Sequence, residues 1–189
     1  HLSTSSTGSQ EEMKSIAAKA DIITFHTPLD DSTRHLINEG LIGIIPHNST
    51  IINASRGEVA STKALLDAPQ RLCLDVWENE PNINRELLAK AFVATPHIAG
   101  YSADGKATAT RMSLEALARH FALGAVPEIV PPAPTSPVTL DGDIEDALLQ
   151  IYNPHNDSNA LKAHPGDFEW LRGNYPHRRE ETAYGIHRG

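Results

Sequence analysis

Four short apolar runs, at residues 21–26, 49–54, 71–76 and 92–95, are separated by longer segments with helical patterning, and this alternation leaves few folds open. Strands covered by helices on both faces read as nearly unbroken apolar runs rather than as alternating ones. Ile22-Ile23-Thr24-Phe25, Ile51-Ile52 and Leu72-Cys73-Leu74 have that form. A helix is expected over Glu11–Ala20, and Leu36, Leu41, Ile44 and Ile45 mark the apolar face of the segment after the first run. The class is therefore α/β, with a partial doubly wound parallel sheet.

The second half of the chain reads differently. Ser102 is a helix cap, and Leu114, Leu117, Ala118 and Phe121 form the apolar stripe of a helix running to about Ala122. Pro127, Pro131, Pro132, Pro134 and Pro137 then impose an extended connector. Beyond it, Ile144, Ala147, Leu148 and Ile151 recur at helical spacing, giving a small, mostly helical carboxy-terminal module. With Phe168, Trp170 and Leu171 it carries more apolar surface than so small a module buries alone, so a second subunit is the expected cover. Arg172, Arg178, Arg179 and Arg188 lie close to Glu180 and Glu181 and read as a solvated, salt-bridged surface rather than an anion site. The expected divisions are a linker or disordered stretch at 1–10, the strand-and-helix region at 11–100, a long helix at 101–124 and a dimerisation module at 125–189.

Three of the apolar runs end in turns that carry chemistry. Asn53-Ala54-Ser55-Arg56-Gly57 follows the second, Asp75-Val76-Trp77-Glu78-Asn79-Glu80-Pro81 the third, and Pro96-His97-Ile98-Ala99-Gly100-Tyr101 the fourth. In an open parallel sheet ligands collect outside the carboxyl ends of the strands, so Arg56, Glu80 and His97 are expected at one crevice. Oxidising a hydroxy acid needs a base for the hydroxyl proton, and His is the side chain that titrates nearest neutrality. A carboxylate behind the ring, Glu80, fixes its tautomer and favours the imidazolium. A planar Arg fork orients a substrate carboxylate through two parallel hydrogen bonds, the role that suits Arg56.

These strings resemble the D-isomer-specific 2-hydroxyacid dehydrogenases. His26-Thr27-Pro28-Leu29, the Ile-Asn-Ala-Ser-Arg-Gly run ending at Gly57, the Asp75–Pro81 string and Thr95–Gly100 are similar to that family's signatures and stand in its order. The resemblance implies a Rossmann-like fold, with residues 11–100 as the carboxy-terminal half of an NAD-binding domain. It also implies NAD as cofactor, Arg56, Glu80 and His97 as catalytic residues, Thr27, Asp75 and Gly100 as NAD contacts, and Arg56 and Tyr101 as substrate contacts. His97–Tyr101 with Asp104-Gly105-Lys106-Ala107, and the tail Leu171–Glu180, resemble the branch of the family that oxidises 4-phospho-D-erythronate on the way to pyridoxal phosphate, as a homodimer. Two other readings stay open: a dehydrogenase for another 2-hydroxy acid such as glycerate or phosphoglycerate, and a non-catalytic dimerising scaffold or NAD sensor. Retention of Arg56, Glu80 and His97 favours an enzyme.

Two departures from the family accompany the resemblance. No Gly-x-Gly-x-x-Gly occurs, so an amino-terminal truncation is expected, and the chain by itself is expected to bind NAD weakly and to be inactive. The spacing from Arg56 to Glu80 is short by somewhat more than a helical turn, with Pro69 where a helix should continue. Composition suits a cytoplasmic enzyme. A net charge of −8 argues against nucleic-acid or anionic-membrane partners, and the lone Cys73 fits a reducing compartment. No apolar run reaches membrane-spanning length, and the ten His show no metal-binding spacing.

Overall fold

A computed structural model describes residues 10–135, 138, 143–176 and 178–186; residues 1–9, Pro137, His177 and Arg188 lie outside them. The chain forms two compact units, one from residues up to His97 together with Pro154–Gly173, the other from Ile98–Asn153 and the residues from Asn174 onward.

The first unit is built on four parallel strands in sequential order: β1 (Ile22–Phe25), β2 (Thr50–Asn53), β3 (Arg71–Leu74) and β4 (Val93–Ala94). Their register aligns Phe25 with Asn53, Asn53 with Leu74, and Leu74 with Ala94, so all four strands end in one row. Ile51, Leu72, Leu74 and Ala94 are fully buried, as strands covered on both faces require. Around the sheet lie α1 (Gln10–Ala17), α2 (Glu39–Ile42), α3 (Thr62–Asp67) and α4 (Arg85–Lys90). Asn38, Ser61 and Asn84 cap the last three, each side chain accepting a backbone N–H of the first turn.

The shortened stretch between β2 and β3 leaves the register intact. Helix α3 stops at Asp67, because the residue before a proline is driven out of the helical region, and Ala68 before Pro69 is extended. Buried Gln70 then anchors the turn by donating from Nε2 to the carbonyls of Ile42 (3.0 Å) and Ile45 (2.8 Å). The expected helix with a Leu36–Ile45 apolar face contracts to the single turn of α2. Gly43 closes that turn, Ile44 is exposed, and Ile37 is fully buried, bridging to Ala60 as a short extended segment.

Residues 154–173 were expected in the carboxy-terminal module but share the core of the first unit. Helix α5 (Ala103–His120) and α6 (Ile144–Ile151) belong to the second unit, whereas α7 (Pro154–Ala163) and α8 (Phe168–Gly173) belong to the first. Helix α7 packs on β4, with Leu161 and Phe168 completely buried in its core. Ser158 Oγ accepts the N–H of Ala94 at 3.0 Å, satisfying a donor on the outer side of an edge strand. Phe168 is thus buried, and Leu171 partly buried, by their own chain; of the apolar residues expected to face a second subunit, Ile144 and Trp170 stand exposed.

In the second unit, Ser102 caps α5 as expected, its Oγ accepting from Gly105 N at 2.9 Å. The carboxy-terminal tail closes on the same helix start. Arg179 makes a two-pronged pair with Asp104, both contacts 2.9 Å, and Asp104 also accepts Glu180 N at 2.8 Å. The Arg179 hydrogen bonds, opposed by partial burial and aided by the Glu180 amide, hold the Asp104 carboxyl below its usual range. Arg179 is therefore paired, but with distant Asp104 rather than with the neighbouring Glu180 or Glu181, and its side chain is largely covered rather than solvated. Leu117 and Phe121 of the expected apolar stripe stand exposed, together with Met112 and Leu123. No described helix is long and apolar enough to cross a membrane.

Replacing Ser158 with Ala strands the buried Ala94 N–H, so S158A is expected to lower stability by about 1–3 kcal/mol. Urea denaturation measures it; an unchanged midpoint would mean that Ala94 finds another partner.

Candidate active site

Each strand end is shaped by the residue that terminates it. Asn53 is buried and brackets its turn from both sides: Oδ1 accepts Ser55 N (3.2 Å) and Ser55 Oγ (2.8 Å), while Nδ2 donates to Arg56 O (3.0 Å). The bracket turns the backbone so that Arg56, extended at φ −144° and ψ 146°, projects as an exposed residue at the head of a short 3-10 turn, Gly57–Val59. Its guanidinium donates from Nη1 to Ser55 O at 2.6 Å and makes no carboxylate pair among the described residues. The fork remains available for an acid. Gly57 is required because a Cβ there would fall 1.9 Å from the carbonyl oxygen of Trp77.

The turn after β3 lies against that glycine. Asp75 is buried, accepting Thr95 Oγ1 at 2.6 Å, and Trp77 is buried with its indole N–H donating to Thr95 O at 3.0 Å. Asn79 sits at φ +60°, a left-handed conformation that Asn tolerates better than most residues. Glu80 is thereby turned back: Oε1 accepts Trp77 N at 2.9 Å and Oε2 meets His97 Nδ1 at 2.8 Å.

His97 also lies in the left-handed region, at φ +57°. Such a conformation costs about 1–3 kcal/mol and persists only where its surroundings over-determine it. Two contacts do so here: His97 N donates to Asp75 O at 2.8 Å and the ring is held by Glu80. With Nδ1 engaged, Nε2 is the nitrogen left to handle a proton. The pair is partly buried, side-chain exposures being 26% for His97 and 18% for Glu80, enough to strengthen the hydrogen bond while leaving the ring reachable.

Thr27, Arg56, Asp75, Glu80 and His97 thus all lie in turns beyond the carboxyl ends of β1 to β4. Glu80 and His97 touch directly, Asp75 joins them through backbone, and Arg56 reaches neither by a hydrogen bond. Thr27 Oγ1 is buried with no hydrogen-bond partner. Such an orphan costs roughly 1–3 kcal/mol, and a polar ligand group at the strand ends relieves it. The donor set therefore suits the polar groups of a dinucleotide. In the second unit Gly100 is exposed with open space where a Cβ would stand. Tyr101 there carries Lys106 Nζ 4.2 Å above its ring and meets Tyr175 edge-on at 6.2 Å.

Sequence reasoning passed over Asn53, Trp77 and Thr95, which hold the turns, and His35 and Glu78. Glu78 accepts His35 Nε2 and Thr62 N, both at 2.7 Å. Burial pushes the Glu78 carboxyl up, but hydrogen bonds from Thr62 and His35 outweigh it and hold the pKa below its ordinary value. An Asn closing an apolar run was the available signal for Asn53; the partners of Glu78 are too distant in sequence to have given one.

Residues 3–99 match the family described as D-isomer specific 2-hydroxyacid dehydrogenase, NAD binding domain, and residues 127–189 match a domain of unknown function, DUF3410. Erythronate-4-phosphate dehydrogenase of Bacteroides thetaiotaomicron is 54% identical over 183 residues, an overlap of 92% of this chain and 53% of that protein. The protein of the same name from Porphyromonas gingivalis is 42% identical over 188 residues, covering 90% of this chain and 51% of its own. The chain spans about half the length of the curated relatives it matches. Among solved structures, the holo form of D-mandelate dehydrogenase from Rhodotorula graminis superposes with a TM-score of 0.52 at 26% identity, over 64% of this chain and 38% of that one.

The geometry at Gly57 makes a direct prediction. G57A drives a methyl group into the Trp77 carbonyl, so the turn must shift, at an expected cost of about 1–3 kcal/mol. Chemical denaturation measures the loss; wild-type stability would show that the Trp77 loop yields freely.

Proposed function

Since the chain belongs to the D-isomer specific 2-hydroxyacid dehydrogenase family, which it matches through that family's NAD binding domain, we propose that the whole protein oxidises 4-phospho-D-erythronate to its 2-oxo acid in the formation of pyridoxal phosphate. The observation that carries the reading is the 2.8 Å contact between His97 Nδ1 and Glu80 Oε2, set in the same row of strand-end turns as an Arg without an acid partner. His97 takes the substrate hydroxyl proton at Nε2, and Glu80 stabilises the imidazolium that results. Arg56 grips the substrate carboxylate and sets the orientation of the carbon beside it. Thr27, Asp75 and Gly100 would hold NAD, which when bound supplies the hydride acceptor. Tyr101 is the substrate contact of the second unit. The similarity to two erythronate-4-phosphate dehydrogenases supports the phosphorylated substrate over other hydroxy acids. A cytoplasmic setting suits the single Cys73.

In the whole protein, R56K is expected to lower turnover by a factor on the order of a hundred, because a two-pronged fork becomes a point charge and the substrate carbon loses its alignment. H97A is expected to be more damaging still. Steady-state kinetics with 4-phospho-D-erythronate and NAD test both, and near-normal turnover in either variant refutes the assigned role.

The protein is further proposed to work as a homodimer. Its cover is assigned to the exposed apolar residues of α5 and its end rather than to α8, whose Phe168 is buried in its own chain. Of the expected stripe Leu114, Leu117, Ala118 and Phe121, Leu117 and Phe121 are the two left exposed, at 51% and 62%. L117E combined with F121E is expected to convert a dimer to a monomer, read by light scattering; a dimer that survives both changes has its interface elsewhere.

A further inference from the structure

We infer that Glu78 is the positioning residue of the Arg56 turn, a role that rests on the proposal that Arg56 grips the substrate carboxylate. Its carboxylate accepts the Nε2 proton of His35 with one oxygen and the backbone N–H of Thr62 with the other, each at 2.7 Å. Both partners belong to segments that fix residues 56–62. His35 N donates to Glu58 O at 2.8 Å and Ile37 N donates to Val59 O at 3.0 Å, so the segment carrying His35 is laced to the 3-10 turn that Arg56 heads. Thr62 opens α3, directly after that turn. The backbone of Glu78 completes the enclosure, since its nitrogen lies only 2.7 Å from where a Cβ on Gly57 would stand.

One carboxylate therefore ties the loops leaving β1 and β3 to the loop leaving β2. Asn53 holds the start of the Arg56 turn from within; Glu78 holds its end from the neighbouring loop after β3. The side chain is only 20% exposed and both of its oxygens are engaged, which leaves Glu80, two residues on, as the carboxylate that meets His97. Hydrogen bonds to an ionised acceptor are about twice as strong as neutral ones, so a neutral replacement loosens both ties. Supporting residues of this kind set rates through the geometry of the group they hold.

The test pairs hydrogen exchange with kinetics in the whole protein, for E78A and for the conservative E78Q. In E78A the amides of Val59 and Thr62 are expected to exchange about tenfold faster, with Leu72 and Leu74 of β3 unchanged, and E78Q is expected to fall between E78A and the parent. The KM for the hydroxy acid is expected to rise about tenfold while the pH dependence of kcat stays where His97 sets it. A general loss of fold would instead speed exchange throughout β3 and lower the active fraction at constant KM, and that result overturns the inference. So does parental exchange at Val59 and Thr62. Faster local exchange in E78A alongside normal kinetics in R56K upholds the positioning of the turn and refutes the carboxylate reading, so the two failures are distinguishable.

Discussion

Three backbone hydrogen bonds at the ends of neighbouring strands, from Asp75 to Asn53, from Thr95 to Leu74 and from His97 to Asp75, carry the arrangement on which everything else depends. They continue the strand pairing one to three residues past the ends of β3 and β4, so the turns begin in step. The side chains that follow are then delivered to one edge without a hydrogen bond between Arg56 and His97. A parallel ladder is suited to this because its strands share a direction and all their carboxyl ends face the same way. Interior burial of Ile51, Leu72, Leu74 and Ala94 holds that register; slipping one strand by a residue would turn its side chains to the opposite face.

On this frame each turn is shaped by a different device. Asn53 uses its amide as a substitute for backbone partners, Gly57 gives way to a carbonyl, and Asn79 and His97 adopt left-handed conformations. The strain at His97 belongs to the arrangement that aims its ring at Glu80, and the amide bond to Asp75 holds the residue there. Thr27 differs from all of these, being a buried hydroxyl whose environment satisfies nothing. Both oxygens of Glu80 and Nδ1 of His97 are engaged, whereas the Thr27 hydroxyl at the end of β1 is not.

The strands, their parallel order and the three strand-end turns were legible because a buried strand must be apolar and its end must not be, so the change of character marks the boundary. Ser102 and its helix were legible for a similarly local reason: the cap and its partner Gly105 are three residues apart. What could not be read was non-local. His35 and Glu78 are 43 residues apart, and nothing in either segment names the other. The apolar character of Phe168 and Leu171 announced a need for cover, but apolar character does not say against what, and the answer was the core beside β4 rather than another subunit. Between Leu36 and Ile45 a helical spacing was present, yet Asn38 and Gly43 limit the helix to one turn and Ile37 pairs with Ala60 instead.

The threading of the first unit has a consequence for how the chain is made. The last of its four described strands ends at Ala94, but Ser158, which satisfies the outer face of that strand, emerges 64 residues later. At ordinary translation rates of about 5–20 residues per second, the interval is on the order of several seconds. Throughout it the nascent chain carries an unfinished edge at β4 and an uncovered patch where Leu161 and Phe168 will settle, while α5 and α6 are being extruded. Order of synthesis and order of burial therefore part company: the segment that seals the first unit reaches it only after much of the second has left the ribosome.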